Sequence, residues 1–139
     1  PVVTAAELAA IAARAYRHMS PWSEADFAST LDQPATLLCA AEGAFVLGRV
    51  VVDEAEILAL ATDPSRQRSG AGRAVLARFE TQARARGAVS VFLEVAAENT
   101  PATGFYTACG YRMTGLRKGY YKRPDGSRDD ALLMSKALT

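Results

Sequence analysis

The chain has 139 residues, of which 50% are hydrophobic and 22% are charged, and its formal net charge is +1 at pH 7. This length fits one domain over residues 1–139 and excludes two full nucleotide-binding halves. The composition excludes a disordered chain, and the small net charge excludes nucleic-acid binding through a uniformly basic surface. No apolar run approaches the roughly 18 residues of a membrane span, so we expect a cytoplasmic protein that binds neither membrane nor nucleic acid.

Two helices are predicted at the start of the chain. Thr4 and Glu7 form a capping-box pattern ahead of apolar residues at helical spacing, which predicts a first helix over about 5–18. Ser23 then caps a second, short helix over 24–31.

The middle of the chain changes from an antiparallel meander to a β-α-β unit. The meander consists of three β-type runs separated by short turns, at 36–41, 44–52 and 56–62. Apolar residues at helical spacing then predict a helix over 71–86, which Gly87 ends. A strand over 89–95 follows at once, so the two strands of the unit at 57–95 are predicted to be parallel.

The last third of the chain predicts one short helix and two strands. The helix runs from Asn99 to about Cys109, and strands at 111–121 and 129–137 surround a turn at 124–126. Together the elements predict a mixed α/β sheet whose parallel pair is flanked by antiparallel strands.

The cysteines and the histidine predict no metal site. Cys39, Cys109 and the one histidine, His18, show neither zinc nor redox spacing, so we expect a metal-free protein. Cys109 is also a conceivable acyl-accepting nucleophile, but no histidine lies near it in sequence and a helix stop follows it. We therefore interpret Cys109 as a structural residue.

A loop of small residues, Ser69 to Gly72, stands at the start of the third predicted helix, within the stretch TDPSRQRSGAGRAVLARF. Backbone N–H groups without helical partners and the helix dipole favour an anion there, and glycines allow it to approach the backbone. A phosphate or pyrophosphate is the natural candidate, although glycine-rich helix starts also occur without a ligand. A P-loop is excluded because the Lys-Ser/Thr pair that it requires is missing.

A dinucleotide-binding fingerprint is an alternative interpretation of this loop. Gly70 and Gly72 follow a strand, and Glu94 stands where a ribose-binding acid is expected. Against it, Val75 replaces the third glycine, and six residues separate the strand from the loop.

The segment from Gln67 to Gly72, QRSGAG, resembles the Gln/Arg-x-x-Gly-x-Gly/Ala pyrophosphate loop of the GNAT acetyltransferase superfamily. The resemblance extends along most of the chain and is closest to the bacterial ribosomal-protein-alanine N-acetyltransferases. Its matching segments are PWSEADF, ATDPSRQRSGAGRAVL, RGAVSVFLEVAAENTPATGFYTACGYR and GYYKRPDGSRDDALLM. It implies an α/β (α+β mixed) fold, with a mixed central sheet of about six to seven strands, a splayed parallel pair and about four flanking helices.

The resemblance also implies that acetyl-CoA binds in the opening between the splayed strands. Pantetheine would follow the backbone of 60–62 and the pyrophosphate the amides of 68–73, where Arg68 and Arg73 add charge-assisted contacts. Asn99 would add a side-chain contact. The implied cofactor-binding residues are Leu60, Ala61, Thr62, Gln67, Arg68, Ser69, Gly70, Ala71, Gly72, Arg73, Asn99 and Tyr106. The arginines interpreted as solvated are Arg66, Arg78, Arg84 and Arg86.

Acetyl transfer from a thioester to an amine needs a base for the amine proton and an acid near the leaving sulfur. The resemblance implies that Glu94 is the base and Tyr106 the acid. From the residues alone, burial between apolar neighbours would make Glu94 more basic, but strand alternation would equally point it to solvent. Tyr106 could likewise be an acid or only a packing aromatic residue.

Acceptor chemistry favours a protein N-terminus. An α-amine titrates near about 7.7–8.0 and a lysine near about 10.4, so the α-amine asks less of the base at neutral pH. The Tyr120-Tyr121 pair resembles the acceptor-side segment of N-terminal acetyltransferases, and Trp22 falls in a region that borders the acceptor groove in the family. The resemblance thus implies acetylation of a protein N-terminus, such as that of a ribosomal protein, by direct attack in a ternary complex. Two alternatives stay open: acetylation of a small amine or a lysine side chain, and a non-catalytic acyl-CoA sensor.

Overall fold

The computed structural model describes residues 4–15, 22–41, 43–67, 69–122 and 125–138. The described helices are α1 (Ala5–Ala15), α2 (Glu24–Leu31), α3 (Ala71–Ala85) and α4 (Thr100–Ala108), and a 3-10 turn spans Pro64–Arg66. The described strands are β1 (Thr36–Ala41), β2 (Ala44–Val51), β3 (Glu54–Thr62), β4 (Ser90–Ala96), β5 (Arg112–Lys122) and β6 (Arg128–Ala137). Every predicted helix and strand is present near its predicted bounds, but the predicted end of α1 at residue 18 lies outside the described residues. None of the described helices combines the length and apolar character that a bilayer span requires.

The strands form a mixed sheet in the order β1-β2-β3-β4-β6-β5. Strands β3 and β4 run parallel, and the other neighbouring pairs run antiparallel. The parallel pairing is short, because it joins Glu54–Glu56 to Ser90–Phe92 and then stops although both strands continue. The two strands therefore separate toward their carboxyl ends, which confirms the splayed parallel pair.

A bulge in β3 explains why its pairing with β4 stops. Leu47 pairs with Ala59 and Gly48 pairs with Ile57, so Leu58 is an extra residue in β3 relative to β2. An extra residue bends the strand that contains it and increases its twist. The bend falls just after the last residue that pairs with β4, so β3 turns away from β4 at this level.

The core lies on both faces of the sheet. Helix α3 buries the apolar stripe predicted for it, consisting of Val75, Leu76, Phe79 and Ala83. Phe79 packs where β2 has a glycine, since a Cβ at Gly48 would lie 2.6 Å from the Phe79 ring. On the other face, Leu8 of α1 and Phe27 of α2 pack against Phe45 of β2. Each large side chain buried in this way contributes about 1.5–3 kcal/mol of hydrophobic stabilisation.

Candidate active site

A cleft of about 580 Å³ opens where β3 and β4 separate. One wall is the last part of β3, from Ile57 to Thr62, and the other includes Leu93–Val95 of β4 and the first turns of α4. The start of α3, from Gly70 to Arg73, lies in the same lining at the carboxyl end of β3. The cleft therefore joins the glycine loop to the splayed strands.

The first turn of α3 has no N-cap side chain over its backbone N–H groups. Its N-cap is Gly70, which takes the left-handed conformation with a φ of +86°. Ser69 lies outside the cleft lining, where its hydroxyl donates to the Arg66 carbonyl and accepts from the Ala71 N–H at 3.4 Å. An anion in the cleft would meet the amides of this turn and the positive end of the helix dipole.

Gly72 allows three elements to meet beside these amides. A Cβ on Gly72 would lie 2.8 Å from Thr62 Oγ1 on β3 and 3.6 Å from the Phe105 ring on α4. Gln67 holds the same end of β3, because its Nε2 donates to the Thr62 carbonyl at 3.3 Å. The backbone surface, the amides and the guanidinium of Arg73 in the lining fit a ligand that carries phosphate groups.

Replacing Gly72 by valine is expected to weaken acetyl-CoA binding by about tenfold or more, because the added side chain forces Thr62 and the start of α3 apart and covers backbone amides. Isothermal titration calorimetry with acetyl-CoA measures the change. Gly104→Val is the matched control, since a Cβ at Gly104 on α4 meets no atom within 4 Å. Equal affinities of the two variants would contradict this prediction.

Most residues implied to bind acetyl-CoA line the cleft. They are Leu60, Ala61, Thr62, Gln67, Gly70, Ala71, Gly72, Arg73, Asn99 and Tyr106. Arg68 lies outside the described residues, as does His18. Asn99 also caps α4, because its Oδ1 accepts from the Ala102 N–H at 3.3 Å, which leaves its side-chain NH₂ to donate to a ligand.

Arginine placement differs from the sequence interpretation. Arg66 lines the cleft, although it is an exposed residue. It belongs to the 3-10 turn, which has no apolar periodicity from which the direction of its side chains could be predicted. Arg78 and Arg86 are exposed but not simply solvated, because they donate to the carbonyls of Ala40 and Thr36 at 3.2 and 3.0 Å. They thereby fasten α3 to the edge strand β1.

Glu94 from β4 and Tyr106 from α4 both line the cleft. The Glu94 side chain is 23% exposed, and its Oε1 lies 3.4 Å from Nη2 of Arg117. Tyr106 is buried, and its ring centroid lies 5.4 Å from that of Phe105 and 5.6 Å from that of Tyr111. The structure therefore brings a carboxylate and a phenol to one cleft, and Tyr106 is a packing residue as well.

Two of the three aromatic residues predicted for the acceptor side line the cleft, namely Trp22 and Tyr121. Trp22 packs on Phe27, with ring centroids 5.3 Å apart. Burial first, and then the charge of Glu94, raise the pKa of the Tyr121 hydroxyl, so it stays protonated at neutral pH and can donate. Tyr120 lies outside the lining, with 51% of its surface exposed.

Cys109 lies outside the cleft lining at the end of α4. Its carbonyl accepts from Lys136 Nζ at 2.9 Å, and burial raises the pKa of its thiol. A thiol that stays protonated is a weak nucleophile, which agrees with a structural role.

The separated parallel strands, the uncapped start of α3 and the two polar groups in one cleft fit an acyl-CoA-dependent acyltransferase. Residues 5–111 match the Acetyltransferase (GNAT) family. The chain belongs to this family, and acetyl-CoA is its acetyl donor.

Relatives and solved structures agree with this membership. The chain is 36% identical over 126 residues to the ribosomal protein bS18-alanine N-acetyltransferase of Escherichia coli (strain K12), which is 88% of this chain and 84% of that protein. The crystal structure of the ribosomal-protein-S18-alanine N-acetyltransferase from Escherichia coli matches with a TM-score of 0.83 and 34% identity, covering 99% of this chain and 91% of that one. Nourseothricin acetyltransferase matches with a TM-score of 0.66 and 26% identity, covering 76% and 67%. Because these names specify different acceptors, the fold alone does not select one.

Proposed function

We propose that this protein transfers the acetyl group of acetyl-CoA to the N-terminal α-amine of a protein in the cytoplasm, with a ribosomal protein as its natural acceptor. The observation that carries the proposal is the similarity to the Escherichia coli ribosomal-protein-S18-alanine N-acetyltransferase, which covers 99% of this chain in structure and so includes both walls of the cleft. Trp22 and Tyr121 add an aromatic surface suited to the first residues of a peptide.

The separated strand β3 supplies the binding surface for the donor. Because its pairing with β4 ends at Glu56, the backbone groups of 57–62 that face the opening have no strand partner there and can bond a ligand's amides. The residues around 70–73 would hold the pyrophosphate, and Asn99 would add one donor. When bound, acetyl-CoA supplies the thioester that the amine attacks.

The proposed reaction is a direct attack with donor and acceptor bound together. An N–C bond forms at the acetyl carbon and the C–S bond breaks. Glu94 accepts the proton that the amine loses, directly or through one water, and Tyr106 donates a proton to the leaving sulfur. The α-amine suits this arrangement because part of it is already neutral at pH 7.

The test is the release of CoA, followed with a thiol reagent, from acetyl-CoA and a short peptide that starts with alanine and contains one lysine. The matched control is the same peptide with its N-terminus blocked. We expect turnover with the free N-terminus and none with the blocked peptide.

Other outcomes point to the alternatives. Turnover with the blocked peptide would make the protein a lysine acetyltransferase, and turnover only with a polyamine or an aminoglycoside would make it a small-amine acetyltransferase. Tight acetyl-CoA binding without turnover of any amine would indicate a sensor.

A further inference from the structure

The partner of Glu94 comes from a strand that is not its neighbour. Arg117 lies on β5, and β6 runs between β5 and β4. In the register of the sheet, Arg117 lies opposite Ala131 and Glu94 lies opposite Leu133, both on β6. Ala131 and Leu133 point to one face because side chains alternate along a strand, so Arg117 and Glu94 share that face. Arg117 therefore reaches past the small side chain of Ala131 to approach Glu94 at 3.4 Å.

An irregular stretch of β5 brings a second residue to Arg117. Between Arg117 and Tyr121, β5 has three residues where β6 has one. Gly119 takes a φ of +62° within this stretch, and its N–H donates to Asp130 Oδ1 at 2.8 Å. The ring of Tyr120 then lies 5.2 Å from Cζ of Arg117, which is a cation–π contact.

We propose that Arg117 is a positioning residue for Glu94, and that Tyr120 acts through Arg117 by holding its guanidinium over the shared face. The guanidinium attracts one oxygen of the Glu94 carboxylate and so orients the carboxylate at the cleft wall. The inference rests on the proposed function, in which Glu94 is the base. The inference also assigns a role to Tyr120, which lies outside the cleft lining.

Distance and exposure limit the strength of the ion pair between Arg117 and Glu94. Arg117 is 53% exposed and lies 3.4 Å from Glu94, so water and salt screen the attraction. A screened cation orients the carboxylate without fixing it in a tight ion pair. A fully buried ion pair at hydrogen-bond distance would oppose the proton transfer that a base must perform.

Other charged and titratable groups surround Glu94 at different places. Tyr121 of β5 lines the same cleft, and burial followed by the charge of Glu94 raises the pKa of that hydroxyl. Tyr106 of α4 lines the same cleft. The β6 carboxylate of Asp129 is buried and accepts from the Glu98 N–H at 3.0 Å. Arg66 and Arg73 line the cleft near the glycine loop. The β3 residues in the lining, 57–62, are uncharged.

The coupling can be tested on the whole protein by comparing crystal structures of the wild type and its variants. In Arg117→Gln, we expect the Glu94 carboxylate to lose its orientation toward β5, seen as a different side-chain rotamer, because it loses a nearby cation. Arg117→Lys keeps a cation and should keep the orientation. Arg112→Gln removes an exposed cation from the same strand and is the control, with no expected change.

Steady-state kinetics test the consequence for catalysis. Arg117→Gln is expected to lower kcat about tenfold and to leave the KM for acetyl-CoA unchanged, because Arg117 is not part of the cleft lining. Tyr120→Leu should change the Glu94 orientation and kcat in the same directions by less, and Arg117→Lys should restore part of kcat. An unmoved Glu94 side chain or an unchanged kcat in Arg117→Gln overturns the inference. A wild-type protein that acetylates no amine contradicts the proposed function instead, and the Glu94 orientation then still decides whether Arg117 positions Glu94.

Discussion

Glu94→Gln is expected to lower kcat for acetyl transfer by roughly 10²–10⁴-fold, which is the usual contribution of a positioned general base. Glutamine has nearly the shape of glutamate, so the cleft wall keeps its packing, but the amide does not accept the proton of the attacking amine. Glu94 lies on β4 beyond the last residue that pairs with β3, so its carboxylate borders the opening. The expected loss therefore comes from proton transfer and not from folding.

The measurement is kcat from CoA release, together with acetyl-CoA affinity from calorimetry. We expect unchanged affinity in Glu94→Gln, because the turn proposed to hold the pyrophosphate, Gly70 to Arg73, lies at the start of α3 and not on β4. Glu56→Gln is the matched control, since this carboxylate of β3 pairs with Arg49 at 2.7 Å and lies outside the cleft lining. An undiminished kcat in Glu94→Gln across the pH range would remove Glu94 from the role of base.

The elements that build the cleft could be predicted because their sequence signals are local. Helix α3 has apolar residues at helical spacing between a glycine loop and Gly87, and β4 follows after a few residues. A crossover helix of this kind makes the strands on either side of it parallel. The position of the glycine loop at the carboxyl end of β3 follows from the same connection.

The separation of β3 from β4 could not be derived from local patterns, because it depends on strand register. The bulge at Leu58 exists in the pairing of β3 with β2, and it lies near a glycine, Gly48, that Phe79 of α3 covers. These residues are far apart in sequence, and no periodicity relates them. Family resemblance predicted the opening, and the bulge is its physical cause in this chain.

The two adjacent tyrosines show the same limit within the site. Alternation along a strand predicts that only one of Tyr120 and Tyr121 reaches a given face. Alternation alone does not say which, because the extra residues around Gly119 change the register of β5 against β6. The structure directs Tyr121 to the cleft and Tyr120 to Arg117.

A cluster of polar side chains, consisting of Glu80, Tyr111 and Lys136, contacts Tyr106 through the Tyr111 ring and so links the stability of the fold to the cleft. Glu80 of α3 accepts from the Tyr111 hydroxyl at 2.8 Å and from Lys136 Nζ at 3.0 Å. Lys136 also donates to the Cys109 carbonyl at the end of α4. A cation at this position interacts favourably with the negative end of the helix dipole. Burial first, and then the charge of Glu80, raise the pKa of the Tyr111 hydroxyl, so it remains a donor.

Glu80→Ala is expected to lower the free energy of unfolding by about 3 kcal/mol, because it removes the acceptor of a buried hydroxyl and of a partly buried ammonium group together. Tyr111 is only 2% exposed, so water does not easily replace the lost acceptor. For a domain of this size the loss corresponds to a fall in Tm of about 10 °C. Urea unfolding gives the free energy, and thermal unfolding gives Tm.

Two variants separate the loss of the cluster from the loss of any ion pair. Glu56→Ala breaks the more exposed Arg49–Glu56 pair and should cost less than about 1 kcal/mol. Glu80→Leu combined with Lys136→Met and Tyr111→Phe removes both charges and the buried hydroxyl, and it should recover much of the stability, since no polar side chain of the cluster is then left without its partner. A cost for Glu80→Ala no larger than that for Glu56→Ala would show that the cluster does not stabilise the fold. Because the Tyr111 ring packs on Tyr106, the same loss should also loosen the side chain proposed to protonate the leaving sulfur.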